Sequence, residues 1–163
     1  MDTGIQRLSP EDLTVLATDA GQVPMNMAAV LEFGPVSDVA ALVATLGERL
    51  SRVPRLRQRL QRPGWGGGRP FWVDDEAFDL ARHVQESSLP AGDLVCRRLC
   101  AKHPLWRMYY SDSGGDVRVV IVLHHVLADG MGGLAALAAL VDGVPVTAPR
   151  APCPVPTRQE VRR

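Results

Sequence analysis

The sequence predicts an α/β domain, a two-layer sandwich in which helices pack on a mixed β-sheet. Short apolar segments bounded by turn residues, at 25–33 (MNMAAVLEF) and 117–124 (VRVVIVLH), are typical of buried strands. Apolar residues between Ser37 and Pro54 recur instead at helical spacing. With 163 residues, of which 46% are hydrophobic, the chain has enough apolar side chains for one core.

The first part of the chain contains two predicted helices and one strand. Ser9, followed by Pro10 and two acidic residues, is typical of a helix N-terminus, so we expect a short helix there. We expect a strand from Met25 to Phe33, because prolines flank this apolar segment on both sides. A second helix is predicted between Ser37 and Pro54, with a buried face formed by Val39, Leu42, Val43, Leu46 and Leu50.

After Pro54 the hydrophobic period changes. Arginines at 55, 57 and 59 alternate with Leu56, Gln58 and Leu60, which predicts a strand with one charged face. The glycine-rich segment 63–70 predicts a flexible loop, and it lacks the Gly-Lys-Ser/Thr ending of a phosphate loop. The remaining predictions are strands at 71–73, 78–84, 106–110 and 117–124, helices at 93–102 and 133–141, and a hairpin turn at Ser113–Asp116.

Proline marks the predicted end of the folded unit. Five of the thirteen prolines fall between Pro145 and Pro156, so we expect a domain at 1–143 and a proline-rich linker or arm at 144–163. Eighteen basic and eighteen acidic residues cancel, which argues against nucleic acid as a partner. Three cysteines do not suggest a disulfide framework, and we expect a cytoplasmic protein whose contact with membranes is at most peripheral.

The segment 118–133 (RVVIVLHHVLADGMGG) carries the clearest chemical signal. A strand ends there in His124 and His125, and imidazole exchanges protons near neutral pH. Successive strand residues point to opposite faces, so both rings reach one pocket only if the backbone turns, and Asp129-Gly130 marks such a turn. We favour one imidazole in a substrate cleft, with the other and Asp129 fixing the backbone. A purely structural role is the alternative, and metal binding is disfavoured.

Two other groups of residues have competing interpretations. Arg55, Arg57 and Arg59 suit the phosphates of coenzyme A or an anionic lipid, but such a series is more often a solvated strand face. Cys96, Cys100 and His103 would share one face of the predicted helix and could hold a metal, although we interpret the cysteines as small core residues. Tryptophans 72 and 106 are predicted core anchors.

HHVLADG fits HHxxxDG, the signature of the CoA-dependent acyltransferase superfamily, which includes chloramphenicol acetyltransferase and peptide-synthetase condensation domains. The blocks LSPEDLTVLATDAGQVPMNMAAVLEF, VPRLRQRL, PFWVDDEAFDLARHV and HPLWRMYY resemble, in the same order, the bacterial wax ester synthase/diacylglycerol acyltransferase family. The proline-rich tail also resembles that family. Asn26 departs from it, because a histidine often follows Pro-Met.

This resemblance implies the N-terminal half of a chloramphenicol-acetyltransferase-like fold and an O-acyltransferase of triacylglycerol or wax ester synthesis. The substrates it implies are acyl-CoA and a diacylglycerol or long-chain alcohol, with no bound cofactor and no metal. His125 would be the general base and His124 would shape the site. Asp129 would hold the motif loop through an arginine, and Gly130 would permit the tight backbone.

The resemblance leaves two alternatives and two further partners to consider. Chains of the family are much longer, so one alternative is an inactive half, or a half that requires a separate second half-chain as its partner. The other alternative is a condensation-type domain that forms amides. A membrane or a lipid droplet, contacted at its surface, is a further candidate partner.

Overall fold

The computed structural model describes residues 5–64, 66–127, 137–140 and 153–161. Within these, one sheet has four strands and a second sheet has two. The four-stranded sheet has the order β1-β6-β5-β4, and β2 pairs with β3. The strands are β1 (Asn26–Phe33), β2 (Gln58–Gln61), β3 (Phe71–Asp74), β4 (Val84–Glu86), β5 (Trp106–Ser113) and β6 (Asp116–His124).

The larger sheet is mixed, as predicted. β6 pairs antiparallel with both β1 and β5, whereas β4 runs parallel to β5. The predicted hairpin between β5 and β6 is confirmed, and Gly114 and Gly115 form its two-residue turn with φ angles of 70° and 97°. In the β1–β6 register Asn26 lies opposite His124, so the start of β1 lies beside the histidine pair.

Within the described residues, the α-helices with defined bounds are α1 (Pro10–Thr18), α2 (Val39–Ser51), α3 (Ala91–Val95) and α4 (Arg158–Val161). The predicted start of α1 is confirmed, because Ser9 and Asp12 form a reciprocal capping box. Asp38 caps α2 by accepting the N–H of Ala41 at 2.9 Å. Both helices therefore begin where local side chains satisfy their free N–H groups.

The sheet is covered on both faces. Leu46 and Leu50 of α2 belong to one apolar cluster with Trp106 and Ile121, while Leu94 of α3 packs with residues on the opposite face. Consequently β6 is buried continuously from Val119 to His124. This arrangement confirms the predicted α/β class and the predicted core positions of Trp72 and Trp106, which are 3% and 0% exposed.

The predicted strand at Arg55–Leu60 is wrong in its first half. Residues Pro54–Arg57 form a 3-10 helix, and the strand begins only at Gln58. Pro54 favours the first turn of a helix, and the indole N–H of Trp106 donates to the Leu56 carbonyl at 2.7 Å. That long-range hydrogen bond stabilises the turn.

Two further elements differ from their predictions. In place of a strand at 78–84 there is a 3-10 helix at Leu80–Arg82, because Asp79 accepts the N–H of Ala81, and a short strand follows. The predicted helix at 93–102 is limited to α3. The side-chain amide of Asn26 donates to the carbonyls of Val95 and Arg97, both at 2.9 Å, and so satisfies backbone groups that a longer helix would use.

His83 is a buried polar residue that sequence reasoning left without a role. Its ring stacks between Phe78 and Trp106, with centroid distances of 5.2 and 4.5 Å. Nδ1 lies 2.9 Å from the Trp106 carbonyl oxygen, so the proton of the neutral ring lies on Nδ1. Burial lowers the pKa of His83 to about 4, only partly opposed by this hydrogen bond.

The described part of the C-terminal segment contacts the smaller sheet. Cys153 is buried, its N–H donates to the Asp74 carboxylate at 2.8 Å, and its thiol donates to the Trp72 carbonyl. The helix predicted at 133–141 lies largely outside the described residues, and the domain limit at residue 143 stays a prediction. None of the described helices is long and apolar enough to cross a bilayer.

Candidate active site

The two histidines lie where β6 ends and the backbone turns. His124 is the last residue of the strand, and His125 begins the 3-10 helix His125–Leu127. The turn thus comes directly after His124, earlier than the Asp129-Gly130 pair would place it. The backbone N–H of His125 donates to the Met25 carbonyl at 2.7 Å, which ties the turn to the residue before β1.

The His124 ring is buried, and both of its nitrogens have partners. Nδ1 accepts the backbone N–H of Val126 at 3.1 Å, so the proton of the neutral ring lies on Nε2. Nε2 lies 3.4 Å from Oδ2 of Asp19. Burial lowers the pKa of His124, although Asp19 opposes the shift. The neutral ring with its proton on Nε2 therefore fits its surroundings.

His125, in contrast, is exposed. Within the described part of the chain, its ring has no hydrogen bond and no ion pair. The structure therefore places one imidazole in the interior, where it fixes the backbone, and the other at the surface next to it. The two rings thus lie in different environments, and the assignment of one of them to a substrate cleft stays a prediction.

Asp19 is the residue that sequence reasoning missed. Its Oδ1 accepts the backbone N–H of Met25 at 2.7 Å, and its Oδ2 lies 3.3 Å from Nη1 of Arg98 as well as 3.4 Å from the His124 ring. Arg98 also donates to the backbone carbonyls of Asp19 and Gly21. The Asp19 carboxylate thus joins the α1–β1 connection to both the histidine pair and the segment after α3.

The other predicted site residues are separated or lie outside the described region. Asp129 and Gly130 are outside the described residues. The guanidinium of Arg55 stacks over the Trp72 ring at 4.4 Å, and that of Arg57 stacks over the Phe78 ring at 4.8 Å. The predicted strand face shared by the three arginines does not form, because Arg55 and Arg57 lie in the 3-10 helix Pro54–Arg57 and only Arg59 lies in β2.

The cysteine interpretation also needs correction. Cys96 and Cys100 are exposed, not core residues, and α3 ends before both, so they share no helical face with His103. His103 lies 3.6 Å from the Asp75 carboxylate. Among the described residues, no group of three His, Cys, Asp or Glu side chains is arranged to hold a metal.

A cleft of about 690 Å³ opens beside His124, between the end of α1, strand β2 and the segment before β5. This volume is in the range of small-molecule binding sites. Its polar lining includes Arg59, Arg62 and Lys102, and Asp19 and His124 form part of its wall. Of the three predicted phosphate-binding arginines, only Arg59 lines this cleft.

Comparison with solved structures defines the fold class. A wax ester synthase/diacylglycerol acyltransferase from Marinobacter aquaeolei VT8 aligns with a TM-score of 0.62 and 23% identity, over 82% of this chain and 37% of that one. The first condensation domain of the calcium-dependent antibiotic synthetase aligns with a TM-score of 0.62 and 16% identity, over 83% and 36%. At these identities the likeness shows a common fold, which confirms the predicted chloramphenicol-acetyltransferase-like half.

Sequence comparison identifies the family. The model of the wax ester synthase/diacylglycerol acyltransferase catalytic domain matches residues 8–163, so the chain belongs to that family. A Mycobacterium tuberculosis protein named "Probable diacyglycerol O-acyltransferase tgs1" is 38% identical over 127 residues, which cover 70% of this chain and 27% of that protein. Another from the same species, tgs3, is 31% identical over 80% of this chain and 54% of its own length. The chain therefore spans about a quarter to a half of these relatives.

Proposed function

We propose that this chain is the histidine-bearing part of an acyl-CoA-dependent O-acyltransferase that esterifies a diacylglycerol or a long-chain alcohol. One observation carries the proposal beyond family membership. The two motif imidazoles differ in environment, since His124 is 4% exposed with both nitrogens engaged, while His125 is exposed at the adjacent turn. A general base needs a free ring nitrogen that substrate can reach, and His125 meets that requirement.

In the proposed reaction His125 takes the proton of the acceptor hydroxyl as its oxygen attacks the thioester carbonyl. The carbon–sulfur bond then breaks, and the proton passes from His125 to the leaving thiolate, so the products are an ester and free coenzyme A. No covalent acyl-enzyme forms. The hydrogen bond from the His125 backbone N–H to the Met25 carbonyl holds the turn against β1. This restricts where the His125 ring can lie.

His124 and Asp129 have supporting roles in this proposal. The neutral His124 ring links Val126 to Asp19 and so keeps the turn in register. The roles of Asp129 in holding the motif loop and of Gly130 in permitting its backbone come from the family resemblance alone. Replacing Asp129 with alanine should then lower both the melting temperature and the activity.

The test is release of coenzyme A thiol from palmitoyl-CoA, with and without diacylglycerol or hexadecanol. We expect acceptor-dependent release by the wild type and a loss of about 10²–10⁴-fold in His125→Ala. His103→Gln is the matched control, because it replaces a half-buried histidine that lies outside the motif. Melting of His125→Ala should match the wild type, because only the backbone of His125 makes a hydrogen bond among the described residues.

A second candidate follows from the length of the relatives, of which this chain spans 27% to 54%. In that case a separately encoded half supplies the rest of the active site, and the chain alone binds substrate without turnover. Acceptor-dependent thiol release that wild type and His125→Ala show at the same rate would refute the catalytic role. A wild type without release, whose activity appears only when the remainder of a relative is added, would support the partner-requiring half.

A further inference from the structure

The cleft beside His124 combines an apolar floor with a basic rim. Leu16, Leu60 and Leu105 are among the apolar residues that line it, and Leu60 and Leu105 are less than 10% exposed, at 7% and 3%. Arg59, Arg62 and Lys102 contribute three positive charges from two separate chain segments. We call this site the cationic cleft.

These positive charges are not neutralised within the described part of the chain. None of the three cations forms an ion pair there, and Arg59 donates only to the neutral amide oxygen of Gln61, at 2.6 Å. Asp19 is the one acidic residue of the lining, and its carboxylate is engaged by Arg98 and His124. Among the described residues, the cationic cleft thus combines positive charges that lack an acidic partner with a buried imidazole in its wall.

We propose that the cationic cleft binds the phosphate-bearing end of the acyl-CoA donor, an inference that rests on the proposed function. Coenzyme A thioesters are anionic amphiphiles whose phosphates lie at one end and whose thioester lies at the other. Guanidinium and ammonium groups bind phosphate oxygens by charge-assisted hydrogen bonds, and the leucine floor suits the uncharged arm. With the phosphates on Arg59, Arg62 and Lys102, the arm lies in a cleft whose wall includes His124, the neighbour of the proposed base.

Two native cysteines allow binding to be measured without any substitution, one as the reporter and one as its control. Cys100 lines the cationic cleft, whereas Cys96 is also an exposed free thiol but is not part of the lining. Alkylation of each thiol by iodoacetamide is followed by mass spectrometry, with and without acetyl-CoA, whose own sulfur is blocked. At a thioester concentration tenfold above Kd, alkylation of Cys100 should slow about tenfold and that of Cys96 should not change.

Substitutions then identify the part of the ligand that is bound. Arg62→Gln and Lys102→Gln should each raise the acetyl-CoA concentration needed for protection about threefold, and about tenfold together. Arg52→Gln is the matched control, because Arg52 is an exposed residue at the C-terminal end of α2, outside the lining, and its ion-pair partner among the described residues is the exposed Glu48. Protection should weaken in 0.5 M NaCl, since salt screens exposed charges.

Each of the following results would overturn the assignment. Equal alkylation of Cys100 with and without acetyl-CoA, or equal slowing at Cys96, would mean that the ligand does not bind in the cationic cleft. Protection that survives both substitutions, or that S-palmitoyl-N-acetylcysteamine produces without phosphates, would assign the site to the apolar chain. Protection by phosphatidic acid vesicles but not by acetyl-CoA would assign it to a lipid headgroup.

The protection assay requires no turnover, so it separates this inference from the proposed function. His125→Ala should retain full protection of Cys100, because the phosphate contacts do not involve the base. If protection holds but thiol release does not depend on His125, the catalytic proposal fails and the donor site remains. If release depends on His125 but Cys100 is never protected, the donor binds elsewhere.

Discussion

Replacing Asp19 with asparagine tests whether this carboxylate holds the motif turn in place. The carboxylate uses both oxygens as acceptors: Oδ1 accepts the Met25 backbone N–H at 2.7 Å, and Oδ2 lies 3.4 Å from Nε2 of His124 and 3.3 Å from Nη1 of Arg98. An asparagine of the same shape has one acceptor oxygen and one donor NH₂, so it can replace only one of these two oxygens as an acceptor. His124 cannot adapt by moving its proton, because Nδ1 already accepts the N–H of Val126.

The cost can be worked out from these contacts. A buried N–H left without an acceptor costs about 1–3 kcal/mol. The weakened pairing with exposed Arg98 adds at most about 1 kcal/mol. We therefore expect Asp19→Asn to lose about 1–4 kcal/mol of unfolding free energy, or roughly 2–16 °C in melting temperature for a chain of this size.

Thermal unfolding followed by circular dichroism at pH 7.5, where His124 is neutral, measures this loss. Asp116→Asn makes the same chemical change at an exposed position of the β5–β6 hairpin and should melt within about 1 °C of the wild type. Imidazole ¹⁵N shifts give a second readout, because the wild-type ring should carry its proton on Nε2. If Asp19→Asn has the same melting temperature as Asp116→Asn and the same imidazole shifts as the wild type, the hydrogen bonds of Asp19 do not hold the turn.

Two further predictions concern the core. Because burial lowers the pKa of His83 to about 4, its neutral form stabilises the fold fully above pH 6.5, and this contribution is lost as the pH falls toward 4. Chemical denaturation should show that the wild type loses about 2–3 kcal/mol more unfolding free energy between pH 7 and pH 4 than His83→Phe does. The phenylalanine keeps the ring stack but cannot titrate. Parallel pH profiles of the two proteins would contradict this prediction. Trp106→Phe should lose about 2–4 kcal/mol in urea unfolding, since it leaves the Leu56 carbonyl without its donor and opens a cavity. An unchanged midpoint would show that the indole N–H does not hold the 3-10 turn.

The sequence predicts the elements whose causes are local. Ser9 and Asp12 cap α1 from within one turn, and Gly114-Gly115 supply the positive φ angles of the hairpin. Such signals can be read from a few neighbouring residues. The α/β class, the strand at 26–33 and the helix at 39–51 follow from them and from hydrophobic period.

The incorrect elements are those shaped by distant side chains. Asn26 satisfies carbonyls 69 and 71 residues away, which limits α3, and Trp106 stabilises a turn 50 residues away. The regular alternation after Pro54 looks like a strand until those contacts form. The role of Asp19 could not be read from the sequence either, because the pairing of β1 with β6 brings it close to His124, which is far from it along the chain.

The departure at Asn26 has a structural consequence for the site. Where the family often has a histidine, the Asn26 amide instead binds the carbonyls of Val95 and Arg97, while its buried Oδ1 has no hydrogen-bond partner among the described residues. Arg98 binds the α1–β1 connection from the same segment. The segment that leads to Leu99 and Cys100, which line the cationic cleft, is thus fixed to the start of β1. The preceding residue, Met25, accepts the backbone N–H of His125. These hydrogen bonds hold this wall of the cleft in place before any ligand binds. Binding in the cationic cleft therefore carries no entropy cost for ordering this wall.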